Sequence, residues 1–130
     1  MPRQLADVLA PEEFDRLVAE ALDAIPPEFA RHLENVAVVV EDEPSPALLR
    51  RLGLDPQRGT LFGLYEGVPL PRRPHDFAGA LPDHITIFRG PLLRGVRTRA
   101  ELAREVQATV IHELAHLFGL DDGRIRRLGY

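Results

Sequence analysis

Two histidines four residues apart, His112 and His116, with Glu113 directly after the first, are the side chains of this sequence best placed to do chemistry. On a helix, residues four apart stand one turn above the other on one face, where both ring nitrogens can meet one metal ion. Glu113 is turned about 100° around the helix axis from His112, which keeps it off the metal yet near a water held there. The pattern continues: Gly119 lies seven residues after His112 and Asp122 ten after, giving H-E-x-x-H-x-x-G-x-x-D. Gly119 can take a positive φ without the steric cost of a Cβ, so the chain can turn back sharply and a residue three later can face the same metal. Asp122 then completes a three-ligand site. Asp121 is the rival ligand, or else the residue that orients a histidine or caps the turn.

With this chain's own His and Glu frequencies, the short motif arises in roughly one shuffled sequence in 60, and the extended one in roughly one in several thousand. The extended spacing is therefore what carries the reading. Two neutral imidazoles and a carboxylate suit one Zn²⁺ per chain, although cobalt, nickel or iron fit the same donors. The chemistry of such a site is metal-assisted hydrolysis with Glu113 as general base. An Asp in place of a third histidine leaves the centre one unit less positive, so its bound water is less acidic than in an all-histidine site.

These residues need a long helix to hold them. Thr98 and Glu101 form a capping-box pattern, and Leu102, Val106, Val110, Leu114 and Leu117 recur at helical spacing, predicting a helix over about 99–118 that ends at Gly119. Its apolar stripe does not include the histidines. "PEEFDRLVAEALDAI" opens with Pro11 and two acids and places Phe14, Leu17, Val18, Ala21, Leu22 and Ile25 on one stripe, predicting an amphipathic helix laid on a core. "PEFARHLEN" predicts a short second helix, and "PSPALLRRLG" a further turn or two ending at Gly53. Val36 to Asp42, Gly59 to Gly67 and His84 to Gly90 read as strands. Between the last two, "VPLPRRPHDFAGALPD" reads as a surface loop.

Composition excludes several function classes. A chain of 130 residues with 45% hydrophobic residues supports one domain, 1–130, with one core. The net charge of −4 disfavours nucleic acid as a partner. With no cysteine there are no disulfides, no thiolate ligands and no thiol catalysis. All 16 basic residues are Arg, which rules out a lysine Schiff base. "MPRQLADVLAPEEFDRL" mixes charge into every turn, and no stretch approaches a membrane span, so the expected address is the cytoplasm, without a membrane partner.

"HELAHLFGLDD" resembles the zincin metallopeptidases, and more narrowly the minimal-zincin family of small bacterial proteins described as zinc metallopeptidases by motif. "GLYEGVPL" (63–70) and "LPDHITIFRGPL" (81–92) support the narrower match, and with the C-terminal helix they cover about half the chain. The resemblance implies a zincin-like α+β fold, a small mixed sheet packed against an N-terminal helix and a long C-terminal HExxH helix. It implies His112, His116 and Asp122 on zinc and Glu113 as base. It also implies an edge strand on which an extended substrate pairs by strand addition, for which Ile85, Thr86, Ile87, Phe88 and Arg89 are the candidates.

The chain departs from larger relatives in two ways. Its only methionine is Met1, so the methionine turn of the metzincins is missing. Eight residues follow Asp122, so the cleft is expected to be shallow, or finished by a second copy or a partner protein. Tyr65, Arg89 and Tyr130 are oxyanion stabilisers by residue type alone. His32, His75 and His84 read as partly exposed histidines before they read as ligands, Arg72 and Arg73 as solvated loop charges, and Glu101 and Glu105 as helix-start charges. Two functions stand: a zinc peptidase acting on peptides or unfolded segments, and, alternatively, a non-catalytic zinc-binding or peptide-binding module.

Overall fold

A computed structural model describes residues 4–57, 61–67 and 83–130. Its helices begin where the local chemistry says they should. After a short α1 (Leu5–Val8), α2 (Pro11–Asp23) starts on Pro11 with Glu12 and Glu13 in its first turn, where the helix dipole favours negative charge. Phe14, Val18 and Ala21 are buried, and Ile25 just beyond the helix joins them. A single turn, α3 (Pro27–Ala30), runs into a 3₁₀ turn over Arg31–Leu33. Ser45 caps α4 (Pro46–Arg51) by accepting from the Leu48 amide at 3.0 Å. Gly53 follows it at φ 79°, as the sequence suggests.

The longest element is α6 (Arg99–Phe118), 20 residues and about 30 Å at 1.5 Å per residue. The Thr98 hydroxyl accepts from the Glu101 amide at 3.0 Å, while the Glu101 carboxylate reaches one residue further back, to the Arg97 amide at 2.8 Å. The capping box is thus formed on one side and shifted by a residue on the other. The helix stops at Gly119, whose φ of 63° and ψ of 40° are left-handed, with the Ala115 carbonyl accepting from both Gly119 and Leu120. Leu102, Val106, Val110 and Leu114 are fully buried, and Leu117 is half-buried. Against this stripe lies α2, with the Gln107 amide donating to the Ala21 carbonyl at 2.9 Å.

Three strands, β1 (Ala37–Glu41), β2 (Gly63–Glu66) and β3 (His84–Phe88), form a mixed sheet in the order β1-β3-β2. β1 runs parallel to β3 with Val39 opposite Thr86, and β2 runs antiparallel with Leu64 opposite Thr86. This order corrects one expectation. Ile85, Thr86, Ile87 and Phe88 are not an edge strand but the centre of the sheet, at 0–1% exposure, and Arg89 already begins the next helix, α5 (Arg89–Gly95). A strand rich in β-branched and aromatic residues suits a centre as well as an edge, and no periodicity in the sequence separates the two. The edge that meets α6 is β2.

α1, α5 and α7 (Asp122–Arg127) have no counterpart in the sequence reading. Four to seven residues give too little periodicity, and Gly90 and Pro91 within α5 read as breakers, although proline is tolerated in a first helical turn. Buried side chains from Leu5 to Ile125 join one core cluster. Among the described residues no helix is long and apolar enough to cross a membrane. Arg99 pairs with Glu13 and Arg94 with Glu43 across the surface.

β2 lies close on α6 because Gly63 has no side chain: a Cβ there would stand 2.5 Å from Thr109 Cγ2 and 3.0 Å from the Thr86 carbonyl oxygen. Gly63→Ala should therefore lower stability by about 1–3 kcal/mol, the scale of overpacking. Adding Thr109→Ser, which removes the clashing methyl, should recover part of it. Chemical denaturation of the two single variants and the double checks this; additive losses would show that the Gly63–Thr109 contact is not the cause.

Candidate functional site

Burial of one α6 face fixes what the other presents. With Val110, Ile111 and Leu114 in the core, His112 and His116 are exposed one turn apart, and Glu113 is half-buried at the boundary. The Glu113 carboxylate turns toward β2. Its Oε1 accepts from the Tyr65 amide at 2.8 Å. The Phe88 amide donates to the Phe62 carbonyl at 2.9 Å, so in the antiparallel alternation Leu64 and Glu66 bond to β3 while Gly63 and Tyr65 direct their amides to the open edge. Glu113 takes one of those open-edge amides, and a hydrogen bond to a carboxylate is stronger than one between neutral groups. The one sequence signal of this contact is a glycine in β2 facing small residues, Ala108 and Thr109, on the helix.

Between the start of β2 and α6 lies a cleft of about 460 Å³ that reaches from Arg104 and Glu105 to His112 and Glu113. Eight residues of helix separate its ends, or about 12 Å, the span of three to four extended peptide residues. Its remaining wall is Gly129 and Tyr130. The residues after Asp122 form α7 and a return segment against α6. The Arg104 guanidinium lies 4.5 Å from the centre of the Tyr130 ring and donates to the Leu128 carbonyl at 2.8 Å. The main-chain oxygen of Tyr130 is 3.1 Å from His112 Nε2.

The two aspartates differ sharply. Asp121 caps α7, its Oδ1 accepting from the Gly123 amide at 2.8 Å and the Arg124 amide at 3.3 Å. Asp122 is the first helical residue, exposed. Ile125 pins α7 to the core at 1% exposure, and Arg124 grips Glu28 through Nε at 3.2 Å and Nη2 at 3.1 Å. That hydrogen bonding raises the Arg124 pKa above its ordinary value.

The structure thus places His112, His116 and Glu113 together on α6 but does not bring Asp121 or Asp122 to them: among the described residues no three His, Asp or Glu side chains are grouped to hold a metal ion. The donor types and the spacing of the histidine pair fit zinc; the third donor is not drawn in. The other sequence candidates lie elsewhere. His32 stacks on Phe118, ring centres 4.5 Å apart. His84 faces Glu66 across the sheet at 4.0 Å. Arg89 lies over the Phe14 ring and pairs with Asp42 at 2.8 Å, so it clips α2 to the sheet end. Glu101 is bound into the start of α6, whereas Glu105 lines the cleft. His75, Arg72 and Arg73 lie outside the described residues.

The sequence profile of the zincin-like metallopeptidase family matches residues 33–130, which take in all three strands, α6 and α7. A solved structure, a conserved hypothetical protein from T. thermophilus, is 28% identical, with a TM-score of 0.53 over 92% of this chain and 96% of that one. No curated protein matches. From the match over both histidines, the glutamate and the strands that flank them, this chain belongs to the zincin-like metallopeptidase family and has its α+β fold.

Proposed function

We propose that this protein is a zinc-dependent peptidase acting on peptides or unfolded protein segments, with His112, His116 and Asp122 as the zinc ligands and Glu113 as general base. The observation that carries the reading is the placement of Glu113. Its carboxylate borders the cleft beside His112, with Oε1 tied to the Tyr65 amide. Its Oε2 has no hydrogen-bond partner among the described residues and is available to a proton. A zinc ion there would supply a Lewis acid for the scissile carbonyl. Glu113 Oε2 takes the proton of the attacking water and passes it to the leaving amine. The tie at Oε1 holds the carboxylate in one orientation through both transfers. The cleft along α6 orients an extended segment, and Arg104 and Glu105 line its far end.

A specific observation favours a second reading, a zinc-binding or peptide-binding module without turnover: His112 is engaged by Tyr130 and Asp122 stands apart from the pair. Glu113 separates the two readings, because a structural zinc has no use for a base and usually takes four protein ligands.

Two experiments test the assignment. In Glu113→Gln, zinc content should be unchanged while cleavage of a pool of unstructured peptides, followed by mass spectrometry, falls by at least about 100-fold. Hydrolysis at the original rate would remove Glu113 from the mechanism, and zinc without hydrolysis in either protein would favour the module. The aspartates should divide stability from affinity. Asp121→Ala should lose a helix cap, about 1 kcal/mol, with zinc affinity preserved. Asp122→Ala should keep its melting temperature and bind zinc more than about tenfold more weakly, the scale on which even outer-shell partners act. The reverse pattern would make Asp121 the ligand.

A further inference from the structure

We propose that Leu128–Tyr130 is a latch on His112, so that docking of this segment and loading of metal onto the histidine pair exclude each other. The proposal rests on the zinc reading above but concerns a different act, admission of the metal. The main-chain oxygen of Tyr130 can only accept, so the ring nitrogen 3.1 Å from it, His112 Nε2, carries the hydrogen. A ring nitrogen that carries hydrogen has no lone pair for a metal. Nε2 is also the nitrogen that reaches furthest from the helix, whereas Nδ1 sits beside Cβ, so Nε2 is the one suited to meet an ion shared with His116 a turn away.

The segment is built to dock there. Gly129, at φ 85°, reverses the chain, and the absence of its Cβ leaves room for the Arg104 guanidinium. The Tyr130 amide donates to the Ile125 carbonyl at 3.1 Å and the Gly129 amide to the Arg126 carbonyl at 2.9 Å. The Tyr130 hydroxyl donates to Gln107 Oε1 at 3.0 Å, on a side chain whose amide nitrogen is bound to α2. Arg104 closes the set, holding the Leu128 carbonyl and the Tyr130 ring. The contacts of Arg104 and His112 are solvent-exposed, so they are reversible, and a metal competing for Nε2 can displace the segment without disturbing the buried Ile125. The same wall borders the substrate cleft, so release would widen it at the moment the metal enters.

Zinc titration by competition with a chromogenic chelator tests this on the full chain, on Arg104→Met, which removes the grip but keeps the bulk, and on a chain lacking Gly129 and Tyr130. Hydrogen exchange monitors α6 core amides as a control for folding. Both variants should bind zinc at least tenfold more tightly than the full chain, and in the full chain zinc should speed exchange at the Tyr130 amide. Equal or weaker affinity in the folded variants overturns the latch; weaker affinity would mean that the Tyr130 oxygen steadies a histidine ligating through Nδ1. A Tyr130 amide equally protected with and without zinc also overturns it. If neither variant nor full chain binds zinc, latch and zinc site fall together. Tighter zinc in the variants, with no peptide cleaved by the zinc-loaded full chain, leaves the latch standing and removes the peptidase.

Discussion

The azimuth at which α6 lies on the core sets almost everything else. Leu102, Val106, Val110 and Leu114 are fully buried, and each residue of a helix is offset by about 100° from the last. Turning α6 by one residue would bury a histidine and expose a leucine, so the packing free energy of the stripe holds the direction of His112, Glu113 and His116. The same constraint reaches the sheet. Because Gly63 lets β2 approach Thr109, an open-edge amide of β2 falls within hydrogen-bond reach of Glu113, one turn further along the helix. A site at the protein surface is in this way oriented by side chains that never touch it.

What can be read from the sequence is what is local. The bounds of α6, the left-handed Gly119 and the stripe on α2 each depend on residues within a turn or two of one another, where capping, helical period and the freedom of glycine act directly. The HExxH pair belongs to the same class, since a helix alone places residues four apart on one face. The central position of β3 is not readable: whether a β-branched run is flanked on one side or two depends on where β1 and β2 fall, and the alternation in "HITIF" is the same either way. α7 escapes a sequence reading because its helical signal is a single cap, Asp121, followed by six residues dominated by arginine.

The segment after α6 supplies one wall of the cleft. The residues after Asp122 turn through α7 and return along α6, which brings the main-chain oxygen of Tyr130 beside His112. The turn depends on a glycine at each end, Gly119 at φ 63° and Gly129 at φ 85°. These positions are where left-handed backbone is obligatory and an L side chain would be strained.

Asp121 and Asp122 occupy adjacent positions with opposed demands. A carboxylate that accepts from two amides at the start of a helix is committed there, and drawing it to a metal would uncap α7. Asp122, at the first helical position, accepts no capping hydrogen bond, which is the physical ground for proposing it and not its neighbour as the zinc ligand. A six-residue helix does not hold itself. Its position comes from Ile125 in the core, from the Arg124–Glu28 clip and from the return of Leu128–Tyr130 onto Arg104. The proposed third ligand and the cleft wall are thus carried by one short segment, so whatever moves that segment changes the geometry offered to metal and to substrate together.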